Sequence, residues 1–251
     1  MEFTTEQAGL QRKMAATRDL AQRRLAVLHE LSPGRGARVI EVGCGAGLLL
    51  REIALATGPH GLAVGIDLIP DQVAAARAAI AGVPAARADR GDASALDWPD
   101  GAFDAAVATH VLEYLDAPGD ALTELRRVMK PGARLVILAT NWDADFWHGV
   151  DAAVAAPVLS AWRAAIPWPN LPAKLGPMLA ARGFGALRQV PLPVVNTSLA
   201  EDVLAPWMAK LIAAEAGRPA GPAWLEALSE ADARGEAFYS SVPILTTATA
   251  I

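Results

Sequence analysis

A parallel β-sheet covered by helices on both faces is the fold class this sequence predicts. Three observations point there. Short apolar runs alternate with helix-periodic segments from Arg38 to Ala139; the first run ends in a glycine cluster; the second ends in an aspartate. Strands alternating with helices select a parallel sheet buried on both sides, and such sheets bind ligands beyond the carboxyl ends of their strands.

The elements follow in order. Thr4 with Gln7 fits a capping box, and Leu10, Met14, Ala21, Leu25 and Leu28 recur at helical spacing up to Pro33-Gly34, so residues 1–35 read as one amphipathic N-terminal helix. Arg12, Lys13, Arg18, Arg23 and Arg24 then form its solvated side. Strands are expected at Arg38–Val42, Ala63–Ile66, Ala85–Ala88, Phe103–Ala108 and Arg134–Ala139, with helices at Leu48–Ala56, Pro70–Ala81 and Ala117–Met129. Beyond Thr140, Leu171–Arg182 reads as a helix, 183–195 as a strand, 199–236 as helical with a break at 217–222, and 238–249 as the last strand.

Composition narrows the function classes. The chain has 251 residues, 53% of them apolar and 20% charged, which is globular composition and one domain's length. A net charge of −5 argues against nucleic acid or an anionic membrane as partner, since both select a basic face. The single cysteine, Cys44, excludes an internal disulfide and fits a reducing compartment. No apolar run approaches a membrane span, and the start, with Glu2 and polar residues, lacks a signal pattern, so a cytoplasmic location is expected. The four histidines are scattered, and Asp143 and Asp145 lack an evident set of companions, so no metal site is expected.

The chemistry concentrates in Glu41-Val42-Gly43-Cys44-Gly45-Ala46-Gly47, between a strand and a helix. Glycines let the backbone turn tightly and approach a ligand, and the helix beyond offers free N–H groups to an anion. The spacing is G-x-G-x-G, with Leu48 where a dinucleotide fingerprint has its third glycine. Further on come Gly65-Ile66-Asp67-Leu68, Gly91-Asp92-Ala93, Thr109-His110-Val111-Leu112-Glu113-Tyr114, and Arg127 to Leu135 around Pro131-Gly132.

In register, these motifs resemble class I S-adenosylmethionine (SAM)-dependent methyltransferases, of the ubiquinone/menaquinone-methyltransferase-like, methyltransferase domain 11 type. The resemblance covers roughly residues 36–140; Tyr114 stands where that branch usually has His. It implies a Rossmann-like seven-stranded sheet of order 3-2-1-4-5-7-6 with the last strand antiparallel, and SAM as cofactor. By resemblance, Gly43, Cys44, Gly45 and Gly47 hold the amino-acid tail, with Glu41 beside the sulfonium or bonded to loop N–H groups. Asp67 takes the ribose hydroxyls with Leu68 adjacent, Asp92 takes the adenine amine, Ala93 lines the ring, and Thr109 and His110 close the site. Cys44 reads as a small turn residue, not a nucleophile.

Six of seven tryptophans lie after residue 140. Residues 141–170 and 199–236 therefore read as insertions forming a helical lid on the 36–140 core. Trp142, Phe146, Trp147, Trp168 and Trp207 are the expected aromatic walls for a small, largely apolar substrate. His148 and His110 are the expected bases if the acceptor is a hydroxyl. The reading is methylation of O, N or C on a small, largely apolar metabolite of specialised metabolism, with a homodimer compatible. Three alternatives stay open: a nicotinamide-dependent oxidoreductase, a SAM-binding relative without methyl transfer such as a pericyclase, and a nucleic-acid methyltransferase. The last lacks an Asn/Asp-Pro-Pro-Tyr motif after strand four.

Overall fold

The computed structural model describes residues 5–251, with side chains from Gln7 onward; Thr4 of the expected capping box lies outside them. In chain order the elements are α1 (Thr5–Ala15), α2 (Arg18–Leu31), β1 (Arg38–Val42), α3 (Leu48–Thr57), β2 (Leu62–Asp67), α4 (Pro70–Ala79), β3 (Ala86–Arg90), β4 (Phe103–Thr109), α5 (Pro118–Val128), β5 (Met129–Thr140), β6 (Phe146–His148), α6 (Ala152–Ala165), α7 (Leu171–Ala180), β7 (Phe184–Pro191), β8 (Val194–Asn196), α8 (Ala205–Ala216), α9 (Ala220–Ala233), β9 (Phe238–Ser241) and β10 (Pro243–Ala250).

Seven strands form one sheet in the order β3-β2-β1-β4-β5-β10-β7. In this sheet β10 runs antiparallel to β5 and β7, and the pairs from β3 to β5 are parallel. Counting these strands along the chain gives 3-2-1-4-5-7-6, the expected order. Successive residues of a strand face opposite sides, and here both sides are buried. Ile40, Val64, Ala106 and Ile137 pack with α5 and α7 through Leu122, Leu125, Leu175 and Leu179. Val39, Ala63, Val107 and Val136 pack on the other face with Val27, Leu31, Leu49 and Ile53 of α2 and α3. Continuous apolar strands, legible as such in the sequence, are the consequence.

Three expectations need correction. The N-terminal helix is two helices. Thr17 is extended, and its hydroxyl oxygen accepts from Leu20 N at 3.4 Å, starting α2 afresh. The basic side of that helix is not all solvated: Arg23 is 7% exposed, while Leu25, assigned to the apolar face, is 64% exposed. The buried row is Asp19, Arg23, Val27 and Leu31, each four residues from the next. Finally, the two long strands expected near the end are each divided. β8 and β9 leave the main sheet and join β6 in a separate three-stranded sheet, order β6-β9-β8, while β7 and β10 remain in the large one. Proline ends β7 and opens β10, at Pro191 and Pro243, and a residue without an N–H favours such ends over strand interiors.

The small sheet, α6, α8 and α9 share a third apolar cluster containing Trp142, Trp162, Met208, Leu211, Trp224 and Tyr239. No helix among the described residues is long and apolar enough to cross a membrane. Helices α8 and α9 approach closely at Gly221, where a Cβ would lie 2.2 Å from the Ala213 carbonyl oxygen. Gly221→Ala is therefore expected to destabilise the fold by about 1–3 kcal/mol, read from the midpoint of chemical denaturation; an unchanged midpoint would mean that the contact yields freely.

Candidate active site

The carboxyl ends of the parallel strands open into a cavity of about 640 Å³. Its floor begins at the turn after β1. Gly43, Gly45 and Gly47 all have positive φ, at 67°, 51° and 75°, a region costly for residues with a Cβ. A Cβ on Gly43 would strike Val111, and one on Gly47 would strike Ala76, whereas one on Gly45 would meet no heavy atom within 4 Å. Gly43 and Gly47 are thus fixed by packing, and Gly45 leaves open space for a ligand.

The turn is held from β2. Gly43 N and Cys44 N donate to Ile66 O. Gly45 N donates to Asp67 Oδ2 and Ile69 N to Asp67 Oδ1, both at 2.9 Å. The Cys44 side chain packs over Gly65, so closely that a Cβ there would lie 2.8 Å from Sγ. Burial, then the charges of Glu41 and Asp67, push the thiol pKa up, which disfavours the thiolate form of Cys44.

Each Asp67 oxygen accepts one backbone N–H and keeps further lone-pair capacity. Asp92 forms a tight turn in which Oδ1 accepts from Ser94 N and Ser94 Oγ at 2.8 and 2.7 Å. Asp67, Leu68, Asp92 and Ala93 all line the cavity. So does Glu41, which is 2% exposed with Oε2 unpartnered. Burial, followed by the charges of Asp67 and Glu52, holds its carboxyl pKa well above the usual range. The expectation that Glu41 bonds the loop N–H groups is not met, because Ile66 O and Asp67 take them.

Across the sheet, β4 ends at Thr109 and His110, and β5 at Thr140. His110 has φ +54°, so the chain turns sharply there. Its Nδ1 lies 3.3 Å from Thr140 Oγ1 and 3.5 Å from Glu113 Oε1. Glu113 is fully buried, and its Oε1 also accepts from Thr140 N at 3.1 Å. The carboxylate therefore fixes both the imidazole and the start of the loop after β5.

Sheet order now gives the cavity a direction. Asp92 follows β3, Asp67 ends β2, the glycine turn follows β1, His110 follows β4, and Thr140 ends β5. Tyr239 and Ser241, on β9 just before β10, continue the lining with Arg23, Trp142, Leu204, Met208 and Leu211. Behind them Tyr239 Oη donates to Asp145 Oδ1 at 3.4 Å. Burial, only partly offset by Ser241 and Arg23, pushes the Asp145 pKa up to about 7.

Of the five expected aromatic walls, Trp142 alone lines this cavity. In β6 the side chains alternate, so Phe146, at 53% exposed, and His148 share the outer face, where their rings stack at 6.3 Å. His148 is thus outside the cavity and no base for it. Trp147 turns inward against Trp224 and Tyr239. Trp168 donates to Asp116 O, and Trp207 donates to Glu201 O with Lys13 and Lys210 over its ring. These tryptophans fasten elements together. Sequence reasoning passed over Glu113 and Arg23; spacing of three from His110, and of four from both Asp19 and Val27, is the signal each carried.

The seven-stranded order, with the glycine turn at the carboxyl edge, is the class I SAM-dependent methyltransferase fold. Residues 40–137 match the family model described as "Methyltransferase domain". Over 119 residues the chain is 34% identical to 2-phytyl-1,4-naphtoquinone methyltransferase of Synechocystis sp., covering 44% of this chain and 50% of that one. Over 93 residues it is 41% identical to demethylmenaquinone methyltransferase of Thermus thermophilus, covering 36% and 40%. The chain spans half or less of the length of the curated relatives it matches. Among solved structures, the [4+2]-cyclase SpnF superposes with a TM-score of 0.60 at 25% identity, covering 91% of this chain and 80% of that one.

Asp145 ties the new sheet to pH. Folded, its pKa is about 7; its ordinary value is 3.8. A raised carboxyl pKa contributes stability that is full below about pH 4 and is lost as pH rises toward 7. Wild type is expected to lose about 2 kcal/mol more than Asp145→Asn between pH 5 and pH 8, measured by denaturant titration at both pH values; parallel losses would show that Asp145 ionises freely.

Proposed function

We propose that this protein is a SAM-dependent methyltransferase acting on a small molecule, through the residues that line the carboxyl edge of its sheet. The observation that carries the reading is the clamp between β1 and β2: a glycine turn open at Gly45, held by a carboxylate with lone pairs to spare. The carboxylates of Asp67 and Asp92 are acceptors that suit a ribose diol and an adenine amine. When bound, SAM supplies a methyl group on a positive sulfur.

The residues divide the work as follows. Backbone N–H groups after the turn receive the carboxylate of the tail. Glu41, buried with Oε2 unpartnered, is placed to ionise against a cationic centre, whose charge offsets the cost of its burial. Asp67 accepts from the ribose hydroxyls with Leu68 beside it, and Asp92 accepts from the adenine amine with Ala93 against the ring. Thr109 and His110 separate this half of the cavity from the half toward β5 and β9. There the acceptor is held, aligned and kept dry, which in favourable cases is worth about 7–11 kcal/mol. His110, oriented by Glu113 and Thr140, takes the proton from a hydroxyl acceptor. Residues 141–170 and 199–236 act as the lid over residues 36–140, with Trp142 as its inner wall.

The likeness to a [4+2]-cyclase favours one second reading, a SAM-binding fold without methyl transfer. Incubation with methyl-labelled SAM and panels of hydroxyl, amine and carbon acceptors separates the two; label in no product favours the cyclase-like reading. Asp67→Ala and Gly45→Val are each expected to raise the SAM dissociation constant by about tenfold or more, read by calorimetry, and unchanged affinity in both refutes the site map. On a hydroxyl acceptor, His110→Asn, which tolerates the left-handed backbone, is expected to lower turnover by about 10²–10⁴-fold with SAM affinity kept; unaltered turnover removes His110 from the chemistry.

A further inference from the structure

The half of the cavity assigned to the acceptor is apolar in most of its walls: Leu204, Met208, Leu211 and Trp142. Its polar lining includes Tyr239, Ser241 and, from α2, a guanidinium. Arg23 of α2 lines the cavity and is 7% exposed, and its Nε and Nη2 have no hydrogen-bond partner. A buried donor without an acceptor costs stability, and a buried guanidinium costs more. Burial depresses its pKa, with Tyr239, Asp19, Asp145 and Tyr114 as the surrounding groups.

None of the carboxyls around it is hydrogen-bonded to those two donors. Asp19 Oδ2 is committed to Asn196 Nδ2 at 3.1 Å and Leu204 N at 2.7 Å. Asp145 accepts from Tyr239, and its burial favours the protonated, uncharged form up to about pH 7. The neighbouring Arg24, by contrast, pairs with Glu52 at 3.0 Å on the α3 side. The two arginines thus face different ends of the site, Arg24 toward the glycine turn and Arg23 toward β6 and β9.

Chemistry narrows what Arg23 can bind. Nε–H and the adjacent Nη2–H are parallel donors on one edge of the planar fork, and this edge matches the two oxygens of a carboxylate. We propose that Arg23 anchors a carboxylate carried by the acceptor substrate, whose apolar body lies against Leu204, Met208, Leu211 and Trp142. The substrate class is then a small amphipathic carboxylic acid, not a wholly apolar molecule. This rests on the methyltransferase reading only in naming that half of the cavity the acceptor half.

Calorimetry on the full chain loaded with S-adenosylhomocysteine tests it, using 2-naphthoate with 2-naphthamide, cinnamate with cinnamamide, and octanoate with octanamide. Wild type is expected to bind at least one carboxylate about tenfold or more tighter than its amide. In Arg23→Met that preference disappears while S-adenosylhomocysteine affinity is kept, which also shows that the variant is folded. No carboxylate preference in any wild-type pair overturns the proposal, as does a preference that survives in Arg23→Met. Loss of S-adenosylhomocysteine affinity in Arg23→Met, with carboxylate binding intact, also overturns it, by assigning Arg23 to the cofactor tail. The same pairs run without S-adenosylhomocysteine keep the two readings apart: a carboxylate preference in a protein that binds no S-adenosylhomocysteine sustains Arg23 and sinks the cofactor.

Discussion

The carboxylate of Asp67 joins two loops that the sheet alone would leave independent. Parallel pairing sets Glu41 beside Gly65 and Val42 beside Ile66, so β1 and β2 end at the same level. What happens beyond that level is decided by side chains. Asp67 Oδ2 takes Gly45 N and Oδ1 takes Ile69 N, so one group fixes the glycine turn and the start of α4 together. Charge-assisted bonds of this kind are among the stronger ones available. Every later feature of the site uses the resulting geometry: the open space at Gly45, the depth of Glu41, and the position of Val111 against Gly43.

Around this clamp the protein keeps polar groups in places that are expensive. Glu41, Glu113, His110 and Arg23 each have a buried polar atom without a partner. Unpaired buried groups are rare because each costs about 1–3 kcal/mol. These four lie at or behind the cavity edge; other unpartnered buried atoms, such as the Trp162 and Trp224 indole nitrogens, lie within the third apolar cluster. The apolar layers supply stability that the cavity edge spends on unpaired atoms, and Glu41, His110 and Arg23 carry theirs in the cavity lining. The His110–Glu113–Thr140 set is the best satisfied of them, since Oε1 serves both the ring and the Thr140 N–H.

The core between Arg38 and Thr140 was legible in the sequence because each of its signals is local. Strand ends, glycine spacing and the acid at the end of β2 are read from a few adjacent residues, and the expected strands there overlap the observed ones. The region beyond Thr140 was less legible for the opposite reason. Whether Phe238–Ser241 continues into β10 or pairs with β6 and β8 depends on segments about 45–90 residues away. The tryptophans mislead in the same way: a Trp that walls a cavity and one that caps a lysine carry the same letter, and only Trp142 proved to be of the first kind.

By itself, then, the sequence determined the sheet, its order through family resemblance, and the turn and aspartates at its edge, because short-range spacing and burial on both faces leave few other solutions. Tertiary structure decided which residues complete the cavity. Arg23 sits on a helix that could have faced water, and His148 on a strand that could have faced in. Their sides were settled by packing partners far along the chain: Asn196 and Leu204 holding Asp19, and β9 pairing with β6. Long-range contacts of this kind leave no periodic trace in either partner's own segment.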